Sequence, residues 1–309
     1  MALVRVTRWL SIVAIGATAL TGCGGSGTSD SGAHAGAITV VASTDVWGSV
    51  VHAVAGDHAT VKSILSGGTV DPHTYQATPS DAAALGEASL VVYNGGGYDG
   101  WVEDVLARNS KIKPIDAFSF LPNAGDEHAP NEHVFYNVAV AKSVATAVGD
   151  RLATIDPANA ADYRANAVAF GRGADAIADT ERSIDTTFAH TSVVSTEPVA
   201  FYLLQATGLA DRTPAAFSKA NENGTDPSPA DMAFVLDLID QRRVAAVLIN
   251  PQTSTPAINN LRDSAKRAGV GVTNVAETLT AGTDYLTWQR NTVNGLLDAL
   301  RSSQGNVRH

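Results

Sequence analysis

Apolar and polar positions along this chain switch between the two-residue period of a strand and the 3.6-residue period of a helix. Ile38-Thr39-Val40-Val41-Ala42-Ser43-Thr44 is a β-branched run and predicts a strand. A helical pattern follows over Val46 to Val54, with Asp45 as its candidate N-cap and Gly56-Asp57 as its end. Val61 to Leu65 predicts a second strand, and Ser66 to His73 is a loop rich in turn residues. Pro79-Ser80-Asp81 opens a helix to about Gly86. Leu90 to Tyr93 is a short buried strand closed by Asn94-Gly95-Gly96-Gly97, and Trp101 to Leu106 is helical. Strands alternating with helices predict a parallel sheet covered by helices.

From about Val138 to Phe188 the pattern is nearly all helical, broken at Asp156-Pro157. The Ala-rich stretch 158–188 predicts one helix of roughly 30 residues, about 45 Å long at 1.5 Å per residue. The α/β pattern then restarts. Thr191 to Ser195, Ala245 to Ile249 and Gly269 to Val275 read as strands, and Val199 to Gly208, Asn259 to Ala268 and Leu286 to Leu300 as helices. The predicted fold is α/β: two similar lobes with parallel sheets, 38–157 and 189–309, joined by a long linking helix, 158–188. Open α/β sheets bind ligands in the crevice beyond the carboxyl ends of their strands, so a site is expected in the interlobe cleft.

The first 37 residues are of a different kind. Arg5 and Arg8 precede an apolar run from Trp9 to about Leu20, too short to span a bilayer comfortably. It ends in Leu20-Thr21-Gly22-Cys23, which resembles a bacterial lipobox, in which the Cys becomes the first mature residue and carries a lipid. Residues 1–23 are therefore expected to be a lipoprotein signal peptide, with Cys23 as the lipidation site. Residues 24–37, mostly Gly, Ser and Ala, read as a flexible tether. The folded part is then expected at the extracytoplasmic face of the membrane, anchored by lipid.

Composition narrows the chemistry. Cys23 is the one Cys in the sequence, which excludes an internal disulfide and a thiolate-rich metal site. With 45% hydrophobic and 17% charged residues, the chain can bury a sizeable core. A formal charge of −10 argues against a nucleic-acid partner and is compatible with attracting cations. A monomer is expected.

Four widely spaced residues sit just past a strand or on a loop that opens a helix: His73, His133, Glu197 and Glu277. Imidazole and carboxylate groups of this kind can close a shell around a first-row divalent metal. Their spacing forms no local motif.

Several segments together resemble the cluster of ABC-transporter substrate-binding proteins for zinc and manganese, over nearly the whole mature chain. They are Gly-Gly-Thr-Val-Asp-Pro-His-Thr-Tyr-Gln-Ala-Thr-Pro-Ser-Asp around His73, Leu90 to Gly95 with Asp99 and Trp101, and Asp156-Pro157 with Tyr163 and Asn166. Val194-Ser195-Thr196-Glu197 with Phe201-Tyr202, and Glu277 with Gly282, Tyr285 and Asn291, complete the set. The resemblance implies two α/β lobes around one divalent transition metal, Zn(2+) or Mn(2+), held by His73, His133, Glu197 and Glu277. It also implies delivery of that metal to an ABC permease in the membrane. The chain departs from the family pattern in places. Asn131-Glu132-His133-Val134-Phe135-Tyr136-Asn137 keeps His-Val-aromatic and loses two prolines. Glu277 stands where Asp is usual, and the long His-rich loop of many zinc members is reduced to Asp126-Glu127-His128.

Rival readings remain open at this stage. His128 competes with His133, and Asp284 with Glu277. Glu197 can be read as a helix N-terminal acid. His34, His52, His58, His190 and His309 read as tether, surface or strand-edge residues, Trp101 as packing and Asp71 as a turn former. An adhesin-type interaction lipoprotein on the same fold is the alternative function. A metallohydrolase is a weaker rival, since neither His-Glu-x-x-His nor Gly-x-Ser-x-Gly occurs. An organic-solute binder would line its cleft with aromatics, yet only 6% of the chain is aromatic. No enzymatic activity is expected.

Overall fold

Two four-stranded parallel sheets form the frame of the computed structural model, which describes residues 38–68, 72–108, 111–122 and 131–305. The first sheet holds β1 (Thr39–Thr44), β2 (Thr60–Leu65), β3 (Leu90–Tyr93) and β4 (Ile115–Asp116) in the order β2-β1-β3-β4. The second holds β5 (Ser192–Ser195), β6 (Ala210–Asp211), β7 (Ala246–Ile249) and β8 (Gly271–Asn274) in the order β6-β5-β7-β8. The two orders are the same, and every pairing is parallel. In each sheet the chain reverses direction of travel beside its first strand, which is where open sheets leave a crevice.

In the N-terminal lobe, α1 (Asp45–Ala55) follows β1, while α2 (Pro79–Glu87) and α3 (Gly100–Leu106) flank β3. Two long helices come next, α4 (Val138–Ile155) and α5 (Ala160–Phe188). The C-terminal lobe adds α6 (Phe201–Ala206), α7 (Ala215–Glu222), α8 (Pro229–Asp240), α9 (Pro256–Ala268) and α10 (Tyr285–Gly305). At 29 residues, α5 is about 43 Å long. Its buried stripe recurs every seventh residue at Tyr163, Phe170, Ile177 and Ile184, so one face stays on the core along its length.

Strand residues alternate between two cores, as the pleat requires. Val40, Ala42, Leu90 and Val92 point to one side, while Val41, Val91 and Tyr93 point to the other, against α2 and α3. In the second sheet Val193, Ala246 and Leu248 share the first of these cores, while Val194, Val247 and Ile249 face α8 and α9. The largest core therefore runs through both lobes, from Val40 in β1 to Leu248 in β7, under α4, α5 and α10.

The helix starts have local causes. Thr78, Ser228 and Thr255 each cap a helix through the side-chain oxygen, with a proline at the first helical position. Asp45 is not the cap of α1: Thr44 occupies that position, and Asp45 is the first helical residue. Its carboxylate accepts instead from the backbone N–H groups of Gly67 and Leu279, at 2.9 and 3.2 Å. No helix among the described residues is long and apolar enough to cross a membrane. Cys23, the tether, Asp71, His128, His34 and His309 lie outside the described residues.

Candidate metal site

The carboxyl ends of the strands supply the site. His73 follows β2, His133 follows β4, Glu197 follows β5, and Glu277 follows β8. The imidazole Nε2 atoms of His73 and His133 stand 3.3 Å apart, and His73 Nε2 is 3.6 Å from Glu277 Oε2. The His133 side chain is fully buried, that of His73 is 20% exposed and that of Glu277 7%. Glu197 lies one amide away: Asn250 Nδ2 donates to Glu197 Oε2 at 2.7 Å and reaches Glu277 Oε1 at 3.4 Å. Thr253 Oγ1 donates to the other Glu197 oxygen. The fold thus brings His73 beside both His133 and Glu277, with Glu197 joined to Glu277 through Asn250.

His133 is fixed in tautomer and orientation by its own neighbours. Its backbone N–H donates to Asn131 Oδ1 at 2.9 Å, and an N–H can only donate, so that atom is the amide oxygen. His133 Nδ1 also lies 2.9 Å from the same oxygen, so it carries the proton and donates. Nε2 is left unprotonated and in position to accept from His73 Nε2. Burial, with the nearby His73 adding to it, holds the His133 imidazole well below its usual range, which keeps it neutral. Asn131 Nδ2 donates across to Pro198 O at 3.1 Å, beside Glu197. A ligating imidazole whose other nitrogen is fixed in this way has a set tautomer and orientation.

The loop after β3 completes the wall. Gly95 and Gly96 adopt φ of 76° and 64°, and a Cβ at either would run into Asp116 or Phe118. Buried Asp99 accepts from the N–H groups of Asn94 and Gly95, at 2.7 and 2.8 Å, and clamps the turn. Burial raises the Asp99 carboxyl to about 6 against these hydrogen bonds. The turn presents Tyr98, whose hydroxyl donates to Glu277 Oε2 at 3.1 Å. Asn94 Nδ2 donates to Glu132 O at 2.8 Å and so steadies the segment that carries His133.

Three polar residues that the pattern along the chain did not single out belong to this site. Asn250 and Gln252 follow β7. Asn250 tethers the two carboxylates, and Gln252 Oε1 accepts from the Glu277 N–H at 2.6 Å. Glu222 ends α7, with Oε1 4.0 Å from His133 Nε2. The ligand atoms of His73, His133 and Glu222 lie within 4.8 Å of one another. An amide at the end of a predicted strand is a signal for Asn250; Glu222 has none, because α7 itself is not predicted. Asp284 is elsewhere: it caps α10 by accepting from the N–H and hydroxyl of Thr287, at 2.9 and 2.7 Å. His58 bonds Asp162 at 3.0 Å on the far surface. Trp101 packs edge-on against Tyr75.

Residues 40–299 match the family model described as the periplasmic component A of the zinc-uptake complex, ZnuA. The chain is 26% identical over 265 residues to the manganese-binding lipoprotein MntA of Bacillus subtilis, covering 82% of this chain and 84% of that one. Among solved structures, the periplasmic zinc-binding protein TroA of Treponema pallidum superposes with a TM-score of 0.71 at 22% identity. That match covers 86% of this chain and 99% of TroA. The laminin-binding protein Lmb of Streptococcus agalactiae, described as bifunctional with adhesin and metal-transporting activity, superposes at 0.70 and 22% identity over 85% of this chain and 99% of Lmb. At these identities the two superpositions establish a shared fold.

Proposed function

Since this chain belongs to the ZnuA family of periplasmic zinc-uptake components, we propose that it is an extracytoplasmic solute-binding lipoprotein that captures a divalent transition metal and delivers it to an ABC permease. The observation that carries the reading is the position of His73 beside both His133 and Glu277 in the interlobe crevice, with His133 Nε2 held unprotonated. The proposed ligands are His73 and His133 from the first lobe, and Glu197 and Glu277 from the second. The cation would then bridge the lobes. Imidazole with carboxylate accepts both zinc and manganese, and the named relatives include binders of each. Cys23 is the proposed point of lipid attachment, with residues 24–37 as the tether. The likeness to Lmb carries the fold and adds no observation in favour of adhesion.

The site also explains what the chain's own residues do. Asn131 orients His133, Asn250 holds Glu197 beside Glu277, and Tyr98 closes the side next to His73. The test is metal content by mass spectrometry after loading with mixed zinc, manganese and iron and then desalting. The wild type should retain about one cation per chain, as one four-ligand shell implies. His73→Ala should retain almost none, and His52→Ala, on the exposed side of α1, should match the wild type. Equal retention by the two variants would sink the assignment.

A further inference from the structure

We propose that Glu222 is an additional direct ligand of the cation, and that it is the residue that biases the site toward manganese over zinc. The inference rests on the metal site proposed above and adds a residue to it. Two ligands of one cation, each about 2.1 Å from it, stand roughly 3 to 4.2 Å apart, from adjacent to opposite positions. His73 Nε2 to His133 Nε2 is 3.3 Å, His73 Nε2 to Glu277 Oε2 is 3.6 Å, and His133 Nε2 to Glu222 Oε1 is 4.0 Å. All three separations fall in that range. The ligand atoms of Glu222, His73 and His133 lie within 4.8 Å of one another.

Its placement is built. The neighbouring Asn221 is buried and donates to Thr196 O at 2.9 Å, which ties the end of α7 to the segment carrying Glu197. Gly224, with a φ of 65°, turns the chain away immediately after the helix. The Glu222 side chain is 16% exposed, and its Oε1 is itself buried. Glu197, by contrast, already accepts from Asn250 and Thr253 on both oxygens, so part of its capacity is committed to holding the wall.

Selectivity follows from the count. Two imidazoles with Glu197 and Glu277 make four ligands, the number at which zinc sites close. A fifth, anionic oxygen makes the shell larger and harder, which suits manganese better than zinc. Glu222→Gln keeps the shape and removes the charge.

The experiment is a competition titration of the full chain against a chelator, run separately with Mn(2+) and Zn(2+), for wild type, Glu222→Gln, Glu222→Ala and His73→Ala. Far-ultraviolet circular dichroism verifies that each variant is folded. Glu222→Gln should weaken manganese binding by about tenfold or more, and zinc binding by about threefold or less, as loss of one hard ligand predicts. Glu222→Ala should do the same if it folds. No change for either cation, or equal losses for both, would overturn the proposal. Retention of both cations by His73→Ala would instead overturn the site as a whole, which separates the two failures.

Discussion

Single atoms decide what the site can do. The Asn131 carbonyl oxygen receives two N–H groups of His133, from the backbone and from Nδ1, and so leaves Nε2 free of a proton. Asn131→Ala removes this control while leaving every proposed ligand in place. Metal affinity should fall by about 10- to 100-fold, the range seen when the partner of a ligating His is lost. Asn131→Asp should restore most of it, because a carboxylate oxygen accepts the same two bonds. Calorimetric titration of the three proteins checks this, and an unchanged affinity in Asn131→Ala would remove Asn131 from the account. Residue-scale legibility was uneven. His73 and His133 stand out because imidazoles are few and their segments resemble a family. Glu222 is one acid among 31 Asp and Glu residues, and nothing in its neighbours marks it.

At the scale of elements, strands were the legible part. The runs at β1, β3, β5 and β7 are β-branched or aliphatic and buried on both faces, so their apolar character is continuous. β4 and β6 are two residues each and carry no such signal. α7 escaped because only Phe217 and Asn221 are buried along it, too few to set a period. α8 was readable in principle: Ser228-Pro229 opens it as Thr78-Pro79 opens α2.

Element α5 also holds an unusual group. Glu181 lies on its core-facing stripe at 3% exposure, and among the described residues its Oε1 has no hydrogen-bond partner. Burial raises its carboxyl to about 7, against the opposing pull of Arg182. In the unfolded chain a Glu ionises near 4.3. Below that value it is protonated in both states, and its ionisation contributes nothing to the stability difference. As pH rises from about 4.5 through 7, the unfolded state loses its proton first, and the native state is destabilised by on the order of 3 kcal/mol once both are ionised. Glu181→Gln should therefore raise the thermal midpoint clearly at pH 8 and little at pH 5, both without added metal. The same gain at both values would show that the effect is packing and not ionisation.

At the scale of the whole molecule, the lobes are stitched together as well as joined. Tyr136 donates to Ala276 O at 2.9 Å, Tyr285 and Gln289 both donate to Phe135 O, at 2.8 and 2.7 Å, and Tyr202 donates to Asn131 O. Each bond crosses between the lobes, and the shared core lies beneath them. The overall plan of two like sheets with a long helix between them was readable from the alternation of periods. The depth of the seam was not, since it is made by single tyrosines and one glutamine scattered over loops and helices. A cation bound across the seam binds the folded chain and not the unfolded one. At a hundredfold excess over Kd it should add about 2.7 kcal/mol, worth roughly 5 °C or more in Tm for a chain of this size. EDTA should reverse the shift, and a Tm that ignores both metal and chelator would contradict a bridging site.

A seam of this kind limits how far the lobes can part. With a common core and a 29-residue α5 lying along it, the empty and filled forms of the proposed carrier would present nearly the same outline to its permease. Recognition of cargo would then fall to the loops at the rim of the crevice, and discrimination between the two forms would be correspondingly small. Empty carriers returning from delivery would occupy the same docking place as those arriving full. Uptake would therefore pass through an optimum in carrier abundance, beyond which extra copies slow the flow by queueing.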